Sequence, residues 1–175
     1  MDSTPSTPAP DSGGRDEVDA VLAAWERERP DLDLAPLAVF SRVSRLARLL
    51  DIARREAFGA GGLEPWEFDV LSALRRAGEP YELSPGALVA QTLVTSGTMT
   101  NRIDRLTARG HVERTRSATD RRGVIVRLTP SGKTAVDGAM EVLLTHEREL
   151  LVGVAPHDRE HLAATLRQVL TGLEG

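Results

Sequence analysis

Between Asp120 and Thr129 the chain reads Asp-Arg-Arg-Gly-Val-Ile-Val-Arg-Leu-Thr, a charged turn that passes into a run alternating apolar and polar residues. A period of two marks a strand with one buried face. A shorter alternating run, Val112–Thr115, lies upstream, and the polar segment from Arg116 to Gly123 separates the two. Together they predict a β-hairpin whose tip carries Arg116, Arg121 and Arg122. Asp120, beside two arginines, is expected to pair with one of them and stiffen the tip.

Upstream of the hairpin the period changes to that of a helix. Ser84-Pro85 offers an N-cap and a first-turn proline for a short helix through Leu88 and Ala90 that stops near Thr92. Thr95 or Ser96 caps the next helix, which carries Met99, Ile103 and Leu106 on one side and ends at Gly110. Two short helices joined by so tight a turn predict a helix-turn-helix. With side chains spaced about 100° apart around the axis, Gly97, Thr98, Asn101, Asp104 and Arg105 fall opposite Met99. Small and polar residues there suit entry into a major groove, where Asn can bond adenine and Arg guanine. The hydroxyls of Ser96, Thr98 and Thr100, with the helix N-terminus, suit phosphate. The arginines of the hairpin suit the minor groove or the phosphate chain.

Charge supports the same surface. Net charge is −4, which alone argues against a nucleic-acid partner, yet nine basic residues stand against three acids between Arg102 and Lys133. A basic stripe on an acidic chain is the footprint of a phosphate-binding face. Double-stranded DNA is therefore the expected macromolecular partner.

Helical periodicity also predicts Asp16–Arg29 (Val18, Val21, Leu22, Trp25), Pro36–Phe58 (Phe40, Val43, Leu46, Leu50), and Pro65 to about Ala77. A helix follows Thr129-Pro130 with Val136, Met140, Leu143 and Leu150 on one face, and another follows Pro156. The chain divides into a disordered Pro/Ser/Thr-rich tail (1–14), N-terminal helices (15–58), a DNA-binding domain (63–130) and C-terminal helices (131–174). The tail has no apolar stretch and no secretory signal is expected. No run approaches the roughly 18 apolar residues of a membrane span. With no cysteine, disulfides and thiolate metal sites are excluded, and the cytoplasm is the expected compartment.

The hairpin stretch, with Pro130-Ser-Gly132 after it, resembles the wing signature of the MarR family of winged helix-turn-helix regulators. The resemblance implies a mainly α fold with a small β wing. It also implies a homodimer joined through its N- and C-terminal helices, gripping a pseudo-palindromic DNA site. Three stretches resemble the PecS-like, urate-responsive branch: Phe68–Leu71, Thr95–Leu106 and Val112–Arg114. So does the extra N-terminal helix with Trp25. By that resemblance Trp25, Asp69, Arg102 and Arg114 form the ligand-responsive set, and a small anion, urate or a related purine, releases a repressor from DNA. The wheel puts Arg102 about 60° from Met99, on the flank of the buried face. Asp69 sits at the border of the Trp66, Val70, Leu74 stripe. The two are thus expected to meet in a cleft, with Arg114 relaying movement to the wing.

Plainer readings stand beside each: Trp25 as a docking residue, Asp69–Arg102 as a structural ion pair, Arg114 as a phosphate contact. Citrate- or aconitate-type carboxylates and phenolic compounds remain alternative effectors. His157-Asp-Arg-Glu-His161 fits an inverted zinc-peptidase pattern through His157, Glu160 and His161. It opens a helix and lacks a third ligand, so neither an enzyme nor a metal or cofactor is expected. A winged helix used only for protein contacts would show no salt-dependent DNA affinity.

Overall fold

The computed structural model describes residues 14–116 and 123–174. Asp120, Arg121, Arg122 and the tail up to residue 13 lie outside the described residues. The chain separates into two compact units, Met1–Leu50 and Asp51–Gly175.

In the first unit, α1 (Glu17–Glu28) starts at Asp16, whose carboxylate accepts the Val18 and Asp19 N–H groups, while Asp19 accepts the Asp16 N–H at 2.7 Å. This reciprocal cap satisfies donors that a helix start leaves open. The same acids reach α2 (Ala35–Ala60): Arg42 donates to Asp16 at 2.8 Å and to Asp19 at 2.7 Å, and Arg45 pairs with Glu17. Such solvent-facing pairs orient the helices more than they stabilise them. Val18 is buried, but Val21, Trp25, Val39, Phe40, Val43, Leu46 and Leu49 all stay exposed.

The second unit is built on α3 (Pro65–Arg76), whose Phe68, Val70, Leu71, Ala73 and Leu74 are fully buried. Phe58, from the last turn of α2, stacks on Phe68 at 4.1 Å between ring centroids. Leu88 of α4 (Pro85–Thr92) and Met99, Ile103 and Leu106 of α5 (Ser96–Ala108) complete the helical side of this core. Val136, Ala139 and Leu143 of α6 (Pro130–Leu150) close it; α7 (Pro156–Glu174) follows and buries none of its described residues.

The hairpin forms as expected. β2 (Val112–Arg116) pairs antiparallel with β3 (Val124–Leu128), in a register that sets Val112 against Leu128 and Arg114 against Val126. A third strand, β1 (Glu82–Leu83), was not anticipated from the sequence; it adds to the far side of β3, giving the order β1-β3-β2. Two residues show no periodicity. Glu82 stands opposite Arg127 in the register and accepts from its Nε at 2.6 Å.

α6 is fixed to the exit of α5 by Thr129. Its hydroxyl donates to Gly110 O at 2.7 Å and accepts the Gly132 N–H at 3.0 Å, while its own N–H donates to His111 O at 3.1 Å. The seat is so close that a Cβ on Gly132 would lie 2.0 Å from His111 O. Replacing a helical glycine by alanine ordinarily stabilises by up to about 1 kcal/mol. Gly138, on the same helix with open space around it, should follow that rule in urea denaturation. Gly132→Ala should instead destabilise by about 3 kcal/mol. Equal stabilisation by both would mean that α6 is not seated on His111.

Candidate nucleic-acid interface

α5 begins at Thr95, whose hydroxyl accepts the Thr98 N–H at 3.3 Å and lies 2.9 Å from the Thr98 hydroxyl. α4 ends just before it at Leu93, a residue held in the left-handed region at φ 54° and 92% exposed. Burial divides α5 cleanly. Met99, Ile103 and Leu106 are at most 1% exposed, while Ser96, Gly97, Thr98, Thr100, Asn101, Asp104 and Arg105 are open to solvent. No described residue engages the Asn101 amide, so both its donor and its acceptor are open. Gly97 has nothing within 4 Å of where a Cβ would stand. Nothing inside the protein calls for glycine there, yet it costs helix stability. What it supplies is room outward.

Ion pairs tie α5 to its neighbours at three points. Asp104 pairs with Arg114 of β2 at 2.5 Å, joining α5 to the hairpin. Arg109 pairs with the fully buried Glu67 of α3 and donates to Gly62 O at 2.7 Å. Glu67 also accepts the Glu64 N–H at 2.9 Å, and its other carboxylate oxygen has no partner among the described residues. The third point is Arg105. Its Nη2 donates to Glu64 at 3.0 Å and its guanidinium lies 4.7 Å from the Trp66 ring centroid. Glu64 in turn accepts from the Trp66 indole N–H. That indole N–H, and then Arg105, hold the Glu64 carboxyl below the usual carboxylate range, so it stays ionised at neutral pH.

The expected meeting of Asp69 and Arg102 does not occur within this chain. Arg102 lies over the Trp66 ring at 5.5 Å and shares an open cleft with Gly97, Thr98, Asn101 and Arg105. A long side chain 60° from the buried face swings outward when an aromatic face is offered there. Asp69 is exposed on α3 and lines a different cleft of about 250 Å³ with Arg54, Ser72, Arg76, Gln91 and Thr92. Trp25 is exposed on α1 of the first unit, and Arg116 is exposed at the end of β2. Arg121 and Arg122, expected at the wing tip, lie outside the described residues. Glu64, Trp66, Arg54 and Arg76 were missed by sequence reading. Trp66 falls in the apolar stripe of α3, which disguised an aromatic that is only half-buried. His157 lies 2.9 Å from Asp158 on the exposed first turn of α7, and among the described residues no three potential ligands cluster for a metal.

Comparison with known proteins points the same way. A model of the MarR family matches residues 61–123. The chain is 36% identical over 153 residues to the HTH-type transcriptional regulator PecS of Dickeya dadantii, covering 87% of this chain and 92% of that one. Among solved structures it is similar to a mutant MarR from E. coli, with a TM-score of 0.65 and 25% identity over 75% of this chain and 96% of the other. It is also similar to BpsR of Bordetella bronchiseptica, whose DNA binding is described as regulated by 6-hydroxynicotinic acid. There the TM-score is 0.62 and the identity 26%, over 75% of this chain and 91% of that one.

Gly97 separates a role in the fold from a role in binding. Gly97→Ala should raise the stability of the fold by up to about 1 kcal/mol and weaken DNA binding, read by thermal melting and by fluorescence anisotropy on a labelled duplex. Unchanged DNA affinity would remove the N-terminal turn of α5 from the interface.

Proposed function

Given that this chain belongs to the MarR family, in its PecS-like branch, we propose that it binds a pseudo-palindromic operator as a homodimer and represses until a small anion releases it. It is a transcription regulator of a ligand-responsive family and not an enzyme. Among its described residues no helix is long and apolar enough to cross a membrane. The observation that carries the proposal is the divided surface of α5, with its outward side chains coupled to the wing through Asp104–Arg114.

In this reading Asn101 and Arg105 contact base edges. Ser96, Gly97, Thr98 and Thr100 lie against the phosphate chain, and Arg116, Arg121 and Arg122 extend the contact along the wing. The N-terminal helices (15–58) and C-terminal helices (131–174) form the dimer contact. Apolar side chains remain exposed on both sets, among them Val39, Phe40, Leu46, Leu162, Val169 and Leu170. Shared burial of such surface is the usual driving force for association.

Trp25, Asp69, Arg102 and Arg114 are the residues on which ligand response is proposed to depend, with urate as effector. An anion entering the Asp69 cleft meets two guanidiniums, Arg54 and Arg76, able to form charge-assisted bonds. It also repels Asp69. The cleft includes Gln91, Thr92 and Leu93, the end of α4 that leads into α5. A shift there is delivered to the reading helix, and Asp104–Arg114 passes it to the wing. Release follows only as far as the ligand prefers the released state. A second reading, a compact carboxylate effector, is favoured by the two arginines, Arg54 and Arg76, that line this cleft.

The test is an electrophoretic shift of the protein on its own upstream DNA with urate titrated in. Urate should release the duplex. Asp69→Ala should bind DNA as the parent does while responding to urate about tenfold less sensitively, the range of an ordinary allosteric coupling. Binding that persists at saturating urate, with release by another metabolite, would reject urate and leave the DNA-binding assignment standing.

A further inference from the structure

Arg105 is not a free side chain on the surface of α5. Its guanidinium is held from α3, outside the helix-turn-helix, by two residues that lie two positions apart. Glu64 accepts from Nη2 at 3.0 Å, and the Trp66 ring lies beneath the guanidinium at 4.7 Å. The Trp66 indole N–H donates to the Glu64 carboxylate, so the acceptor is itself oriented. Backbone geometry fixes both residues. Glu64 is the N-cap of α3, with Pro65 in the first turn, and its N–H is bonded to buried Glu67 at 2.9 Å. The supporting side chains lie at the surface, but their backbone is anchored to the core through buried Glu67.

An arginine reads guanine by directing two N–H groups from one edge at O6 and N7. It has five such donors in a planar fork. With Nη2 donating to Glu64, the other N–H groups remain available, and the ring 4.7 Å away restricts how the fork can turn. A guanidinium so oriented loses less freedom when it meets a base, which favours the matched base over others. Water leaves the interface when a groove closes over it, and the Glu64–Arg105 attraction then strengthens.

We propose that Glu64 and Trp66 are positioning residues that fix the Arg105 fork for guanine and so set the base preference of one position in each half-site. This rests on the reading of Arg105 as a base-contacting residue. Both residues act through Arg105 and touch no base themselves.

The experiment is selection of bound duplexes from a random-sequence pool by the full-length protein. Preference is then quantified by anisotropy on duplexes varied at each position. Parent, Arg105→Ala, Glu64→Ala, Glu64→Gln and Trp66→Phe proteins are compared, each first checked for an unchanged thermal melt. Arg105→Ala should erase a guanine preference at one position per half-site. Glu64→Ala should weaken that same preference by about five- to hundredfold, the worth of one bidentate contact, and leave other positions alone. Glu64→Gln, which keeps one acceptor, should fall between parent and Glu64→Ala. Trp66→Phe, which keeps a ring but loses the N–H, should also be intermediate. The slope of affinity against salt should not change, because no phosphate contact is removed. If Arg105→Ala erases the preference while Glu64→Ala leaves it within about twofold, the positioning role is wrong and the reading of Arg105 survives. If Glu64→Ala sharpens the preference, Glu64 competes with DNA for Arg105 and the proposal is overturned. If Arg105→Ala changes no base preference, the reading of Arg105 fails and takes the proposal with it.

Discussion

Whatever α5 presents outward depends on what it buries. Met99, Ile103 and Leu106 lie one turn apart along a single face and are at most 1% exposed against Leu71, Leu74, Leu88 and the strand residues Val112 and Val126. Side chains this enclosed leave the helix no freedom to rotate, because turning by one residue would bring a polar group inward and an apolar one out. The polar face is thereby fixed: Thr98, Asn101 and Arg105 point away from the core because Met99, Ile103 and Leu106 must point into it.

Electrostatics then refines what packing has set. The three ion pairs from α5 all leave its C-terminal half, two of them to the start of α3 and one to β2. Arg105 reaches Glu64, Asp104 reaches Arg114 on the wing strand, and Arg109 reaches buried Glu67. The exposed pairs contribute little to stability, and their value lies in orientation. Arg109–Glu67 is different in kind. A buried carboxylate left without its partner is costly, so this pair locks the C-terminal end of α5 to α3. α5 is therefore firmly anchored at its exit. Its entry follows Leu93, a left-handed residue almost wholly exposed. In the proposed function, a signal arriving at the end of α4 would act on this less constrained end.

Much of this was legible in the sequence because it depends on local rules. A cap at Thr95 or Ser96, Pro65, Pro85 and Pro130 in first turns, and the period-two run Val124–Leu128 each specify their element without help from elsewhere, and the structure puts the caps at Thr95 and Thr129. The outward set on α5 followed from angular spacing alone. What the sequence hid depends on long side chains and distant partners. A helical wheel places Cβ atoms, and Arg102 extends well beyond its Cβ to reach the Trp66 ring. Trp66 lay within an apolar pattern, and its polar edge showed only when Glu64 was found against it. Arg54 and Arg76 were unremarkable charges on two helices until folding brought them to the cleft that Asp69 lines. The two-residue strand Glu82–Leu83 was invisible because only its partner, β3, makes it a strand.

If α5 reads DNA as proposed, with its polar face fixed by its buried one, binding depends on both charge and base identity. The direct measurement is the affinity of the purified protein as a function of salt for a duplex selected from a random pool, beside a scrambled duplex of the same length. The account predicts a steep fall with salt for both, at about 0.9 counterions released per phosphate contact. It also predicts a gap of about a thousandfold or more in favour of the selected duplex. An affinity indifferent to salt, or equal for the two duplexes, would contradict it.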